Sequence, residues 1–242
     1  MLHIPFDPTR SRRARPRTGL GLILGLVVLA CASPAFASGN EHVIDDAAVE
    51  TPGVCHLESW ATRFAPRHGL VNLSPACTRK AWPNLEIGGA VQHGWDGGQA
   101  DTTVGPALKY TLRAEAAGFG LGVIGAGAWS VGSGRLETAS LIVPVTLKLT
   151  DRVRVNLNAG WSYGRADAER NAAFYGAQAE VGMAHDVTVM VEAFQREGGK
   201  AGGQLGLRWN PGGGPVDFDL VAGRRVDGEA PRAVTLGLTF RR

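Results

Sequence analysis

At 242 residues the chain has room for one large domain or two small ones, and its formal charge of +3 rests on 25 Lys and Arg against 22 Asp and Glu. Five of those arginines (Arg10, Arg12, Arg13, Arg15, Arg17) and one acid, Asp7, lie in the first 37 residues, so the remainder carries a balance of about −1 and gives a nucleic-acid partner no electrostatic support. Beyond residue 37 no apolar run approaches the roughly 20 residues of a membrane-spanning helix.

The chain opens with an export signal. The arginines form a positive n-region, an apolar run follows over 20–32, and Ala35-Phe36-Ala37 supplies the small-x-small cleavage pattern. Cleavage is expected after Ala37. A twin-arginine reading of Arg12-Arg13 lacks apolar residues close behind the pair, and a lipoprotein reading at Cys31 meets a large Leu29 where a small residue is wanted. Export leads to an oxidising compartment, in which Cys55 and Cys77 read as a disulfide. Residues 38–53 are expected as a periplasmic N-terminal segment, and 54–242 as the folded domain.

From residue 54 onward the recurring signal is alternation with period two, the mark of a strand whose faces meet different surroundings. Twelve segments carry it: 54–64, 70–79, 84–94, 103–114, 119–131, 138–150, 152–164, 171–183, 186–196, 203–210, 215–225 and 232–241. A first hairpin centred on Pro66 would set Cys55 opposite Cys77, since paired positions then sum to 132. The clearest pair is the sixth and seventh. Leu141, Val143, Val145, Leu147 and Leu149 fall on one face, with Pro144, Thr146 and Lys148 on the other, broken only by Ile142. After a turn at 150–152, Val153, Val155, Leu157, Ala159, Trp161 and Tyr163 resume the apolar face. The last three segments repeat the pattern, ending on Val234, Leu236, Leu238 and Phe240. Connections at 80–83, 115–118, 150–152, 184–186 and 210–215 are expected to be mostly tighter than those at 94–101, 165–169, 197–202 and 226–231 on the other side. Trp95, Trp129, Trp161, Tyr163 and Trp209 near strand ends suit interfacial aromatic girdles.

These features predict an all-β fold, a single antiparallel transmembrane β-barrel of about twelve strands in the outer membrane of a Gram-negative envelope, with outer-membrane lipid around it. About 190 residues give roughly 16 per strand and turn, against about 9–11 needed to cross. A soluble β-sandwich or lipocalin-like barrel also alternates. It would need a compact apolar interior, whereas here the face opposite the apolar one is rich in Gly and charge.

Two motifs resemble catalytic or cofactor signatures but sit in the wrong setting. Gly120-Leu121-Gly122-Val123-Ile124-Gly125 has dinucleotide-binding spacing, yet the strand pattern continues through it where a helix is required. Gly160-Trp161-Ser162-Tyr163-Gly164 has nucleophile-elbow spacing, yet it lies inside a strand. The six histidines show no ligand spacing. No cofactor, metal or catalytic residue is therefore assigned. The charged residues on the inner face are the candidate functional set: Lys109, Arg113, Lys148, Arg152, Arg154, Arg208 and Arg225, with Glu86, Glu180, Glu192, Asp217 and Asp219. Paired, they would plug and stiffen a narrow lumen; separated, they would line a pore and tune its selectivity.

Asp45-Asp46, Pro52-Gly53 and Leu57-Glu58 resemble the opening of the outer-membrane barrel family named for the meta pathway of phenol degradation and its related transporters. Asp151-Arg152-Val153 with Asn156-Leu157-Asn158-Ala159-Gly160-Trp161 is similar to that family's central hairpin. Leu205-Gly206-Leu207-Arg208-Trp209, Asp217-Phe218-Asp219-Leu220 and Thr235-Leu236-Gly237-Leu238-Thr239 resemble its last three strands. The resemblance implies a roughly twelve-stranded barrel that passes small, hydrophobic molecules. The cysteine pair and the ending Phe240-Arg241-Arg242 depart from that pattern. The leading expectation is a passive channel or uptake pore for a small-molecule solute. The alternatives are a closed structural or interaction barrel and, behind it, a membrane-embedded lipid hydrolase using Ser162.

Overall fold

The computed structural model describes residues 42–242 apart from residue 168 and residues 225–231. The expected signal, 1–37, and Arg225 lie outside the described residues. Twelve strands run β1 (Cys55–Ala65), β2 (His68–Thr78), β3 (Leu85–Asp96), β4 (Gln99–Arg113), β5 (Gly120–Ser130), β6 (Leu136–Lys148), β7 (Val153–Gly164), β8 (Asn171–Ala184), β9 (Val187–Arg196), β10 (Gly202–Trp209), β11 (Val216–Arg224) and β12 (Ala233–Arg241). Each pairs antiparallel with its sequence neighbours, and β12 returns to β1, with Leu57 opposite Phe240 and Arg63 opposite Val234. Closure removes the free edges that an open sheet would leave exposed.

Period-two alternation holds because the two faces meet different media. On β12, Leu236 is 63% exposed and its neighbour Thr235 is 2% exposed. The outward face carries Val, Leu and aromatic residues all round the barrel. Trp95 and Trp129 stand near one end, and Trp82, Tyr110, Trp209 and Phe240 near the other. We call the end bearing Cys55 and Arg241 the terminal end, and the opposite one the far end. Cys55 and Cys77 are directly opposed on the outward face of β1 and β2 and form a disulfide.

Strand boundaries follow the sequence pattern closely except at β3 and β4. The stretch 94–101, expected as a loop, is a two-residue hairpin at Gly97-Gly98. Their φ values of 58° and 113° suit glycine and match the twist of the flanking strands, so pairing continues to Asp96 and Gln99. The two ends are not separated by connection length. Two-residue turns occur at 66–67 and 97–98 at the far end, while 79–84 and 114–119 at the terminal end are longer.

Candidate functional site

The lumen is occupied by the chain's own N-terminal segment. Residues 42–50, part of the stretch 38–53 expected to stand ahead of the barrel in the periplasm, instead cross the inner wall as a strap without regular secondary structure. Its backbone N–H groups bond in turn to wall side chains: Val43 to Glu192 Oε2 (3.0 Å), Asp45 to Asn158 Oδ1 (2.9 Å), Ala47 to Thr146 Oγ1 (2.9 Å), Val49 to Thr111 Oγ1 (3.1 Å) and Glu50 to Glu86 Oε2 (2.8 Å). In return Asn158 Nδ2 donates to the Asp45 carbonyl and Thr111 Oγ1 to the Ala47 carbonyl. The wall partners come from β9, β7, β6, β4 and β3. Side chains of five strands thus replace the neighbouring strand that an extended segment would otherwise need. Adjacent strands lie about 4.8 Å apart and an extended chain advances about 3.3 Å per residue, so a handful of residues suffices to cross this arc on the narrower inner radius.

Packing holds the strap as well. Val43 and Ile44 join Ile124, Ile142, Phe174 and Phe194 in a buried apolar cluster inside the barrel. The strap lies against wall glycines. A Cβ at Gly206 would come 2.7 Å from His42 Cε1, one at Gly120 would come 3.1 Å from Ala47 Cβ, and one at Gly176 would collide with Ile44 Cδ1. Gly120 and Gly122 of the dinucleotide-like motif therefore serve close approach of the strap, in a strand with no following helix.

Ion pairs fasten the strap to the wall. Lys109 Nζ lies 2.8 Å from Asp46 Oδ1, and Arg154 Nη2 lies 3.4 Å from Asp46 Oδ2 and 3.3 Å from Glu115. Burial pushes the Asp46 carboxyl up, but Lys109 and then Arg154 outweigh it and hold it below its ordinary value. Arg241 Nε donates to Glu50 at 2.8 Å and its Nη1 to Asp217 at 2.6 Å. His42 Nδ1 lies 2.6 Å from Glu192 Oε1, and its Nε2 lies 3.6 Å from Asp219 Oδ1. Glu192 also accepts from Gln178 and Gln204.

Of the residues picked out from sequence, Lys109, Arg154, Glu180, Glu192, Arg208, Asp217, Asp219 and Glu86 stand inside the barrel. Arg208 pairs with Asp219 at 2.9 Å. Three others sit at the terminal rim. Lys148 pairs with the exposed Asp151, Arg152 is exposed in the turn, and Arg113 donates to the Ala117 carbonyl and stacks over Phe119. Lys148 and Arg113 end their strands at that rim, Arg113 after a register shift, and Arg152 stands in the turn beyond β6. Pattern reading missed Asp46, Glu50, His42 and Arg241. Arg241 faces inward because Phe240 faces outward, and it holds Glu50 of the strap. Ser162 is buried in the lumen wall, where its Oγ accepts from Arg196 Nε at 3.0 Å.

Two cavities remain inside the barrel. One, of about 380 Å³ at the far end, is lined by Phe64, Leu70, Ala90, Ala126 and Ala128, with Asp96, Asp101 and Glu137 around its mouth. The other, of about 340 Å³ at the terminal end, lies between the strap and the wall formed by β1–β5, β8–β10 and β12. Both are lined by Ala107 on β4.

Over residues 26–242 the sequence matches the family described as Uncharacterised conserved protein UCP029691. The chain belongs to this family. No curated protein matches it. Among solved structures it is similar to the KdgM porin, at a TM-score of 0.61 and 9% identity over 76% of this chain and 98% of that one. It is similar to the NanC porin at 0.58 and 8%, covering 77% and 98%. The COG4313 outer membrane channel from Pseudomonas putida F1 follows at 0.53 and 12%, covering 82% and 98%. At such identities the likeness is one of fold: the chain has the closed barrel of outer-membrane porins and channels.

Proposed function

We propose that this protein is an outer-membrane channel for passive uptake of small solutes, with a bore reduced by its own strap to a route past Ala107. The observation that carries this reading is the pair of cavities, one toward each end of the barrel, that share Ala107 as a wall. The apolar outer face, the porin-type fold and the resemblance to the meta-pathway barrels support it. A structure of KdgM holds disordered oligogalacturonate. That solute is a string of carboxylates, and the carboxylate-rich cavity between this strap and its wall argues against the same cargo here. The test is single-channel recording of refolded residues 38–242 in a planar bilayer. Discrete conductance steps are expected.

A second reading, a sealed structural barrel, is favoured by the five-strand bonding of the strap. It predicts a folded barrel with no steps and no passage of uncharged sugars in liposome swelling.

A further inference from the structure

We propose that the route past Ala107 selects for cations, so that its solutes are small organic cations in preference to anions. This rests on the channel reading and specifies its substrate class. In the terminal cavity the strap contributes Asp45, Asp46 and Glu50, and the wall contributes Glu58, Glu86 and Glu180. Three cationic residues, Lys109, Arg208 and Arg241, line the same space. His42 and His56, even if both were protonated, would leave the described lining acidic by one charge. Extending the count to ion-pair partners deepens the excess. Arg154 enters with Glu115, while Arg208 brings Asp219, Arg241 brings Asp217 and His42 brings Glu192. With these partners the described set holds ten carboxylates against Lys109, Arg154, Arg208, Arg241 and two histidines.

The far cavity carries the same sign on a different ground. Asp96, Asp101 and Glu137 line it, His68 is its one basic residue among those described, and Arg165 engages Glu137 from outside at 3.3 Å. Between these acids the wall is Phe64, Leu70 and small aliphatic residues. A cavity of this volume is within the range that holds a small organic molecule. A low-dielectric wall focuses the field of the carboxylates into the space, which concentrates cations and repels anions. An apolar body bearing an ammonium group would satisfy both the wall and the charges.

The experiment is reversal-potential measurement on the refolded chain 38–242 across a potassium chloride gradient, followed by benzylammonium and benzoate salts, which share an apolar ring and differ in charge. Potassium is expected to exceed chloride in permeability on the order of tenfold at low salt, the preference shrinking as salt screens the carboxylates. Benzylammonium is expected to carry current where benzoate does not. Glu58→Gln and, independently, Asp96→Asn should each lower the potassium preference, with barrel folding checked by heat-modifiable gel mobility. Conductance with no preference, or with preference for chloride or benzoate, overturns the selectivity and leaves the channel intact. A folded barrel without any conductance overturns the channel reading and the selectivity with it.

Discussion

Lys109 on β4 and Asp46 on the strap form an ion pair of 2.8 Å in the partly buried lumen. Removing the carboxylate charge leaves Lys109 without its closest partner and weakens the hold of Arg154. An interaction of this charge-assisted kind contributes about 1.5–3 kcal/mol. Asp46→Asn is therefore expected to raise hydrogen exchange of the strap amides at Val43, Asp45 and Ala47 by roughly tenfold or more. Barrel amides should be unchanged. Equal protection in the variant would mean that the backbone bonds hold the strap without the ion pair.

The same pair fixes a pH response. The folded-state pKa of Asp46 lies below its ordinary value. A lowered carboxylate pKa contributes stability that is fully present above the ordinary value and is lost as pH falls through the lowered one. The Asp46 contribution should thus be constant from neutral pH down to the ordinary carboxylate range and disappear only in stronger acid. The difference in strap protection between wild type and Asp46→Asn, followed against pH, reads it directly. A difference that vanishes near neutrality would contradict the assignment.

Gly206 offers a way to displace the strap without replacing any of its charged side chains. A Cβ there would stand 2.7 Å from the His42 ring, whereas one at Gly125 would have open space. Valine is well suited to a strand at either position. Gly206→Val should give a folded barrel with a loosened strap and a larger single-channel conductance, and Gly125→Val should leave conductance at the wild-type level. A Gly206→Val barrel that conducts like the wild type would show that the strap does not limit the bore.

The barrel was legible in the sequence because each strand separates lipid from lumen and so repeats a two-residue pattern twelve times. Cys55 does stand opposite Cys77, but counting from the turn alone would not put it there: the two-residue turn at 66–67 pairs Ala65 with His68 and would carry Cys55 to Thr78, and an irregularity between Arg63 and Ala65 shifts the register by the one residue that brings Cys77 into place. The strap was not legible. Residues 42–50 show no periodicity, and their bonds go to five separate strands, none of which carries a local signal for them. One trace was visible. Ile142 breaks the polar face of β6, and it is fully buried against the cluster that receives Val43 and Ile44. Apolar residues at inward positions, Ile124, Phe174 and Phe194 among them, mark where something other than water fills the bore.

The disulfide joins residues 22 apart on two strands that also pair with each other and with β12 and β3. Cross-linking a loop of that size contributes roughly 3 kcal/mol by constraining the unfolded chain. Cys55→Ala with Cys77→Ala should still close the barrel, since β12 holds β1, but should unfold at lower temperature on heat-modifiable gels. Alkylation without reductant should find no free thiol among these two in the wild type. Two labelled thiols there, or identical melting of wild type and variant, would remove the disulfide from the account of stability.

Ser162 Oγ is engaged by the guanidinium of Arg196, which also donates to the Glu169 and Arg170 carbonyls. A guanidinium cannot accept the hydroxyl proton as a nucleophile's general base must. Ser162→Ala is accordingly expected to leave membrane lipid composition unchanged on overexpression, and to affect only the order of the 165–170 loop. A wild-type-specific rise in lysolipid that the variant abolishes would restore the hydrolase reading.

Ala107 tests the route itself. It is the residue common to both cavities, it points inward from β4 between Gly105 and Lys109, and among the described residues none of the strap's hydrogen bonds ends on it. A large side chain there would fill the join between the cavities while leaving the strap's anchors in place. Ala107→Trp is expected to cut single-channel conductance on the order of tenfold, because an inward apolar constriction both narrows and dewets the passage. Strap amide protection should be unaltered in the same variant, which separates blocking the route from moving the strap. Full conductance with the tryptophan in place would mean that ions cross elsewhere, on the β10–β12 side of the strap, and that the bore opens by strap displacement.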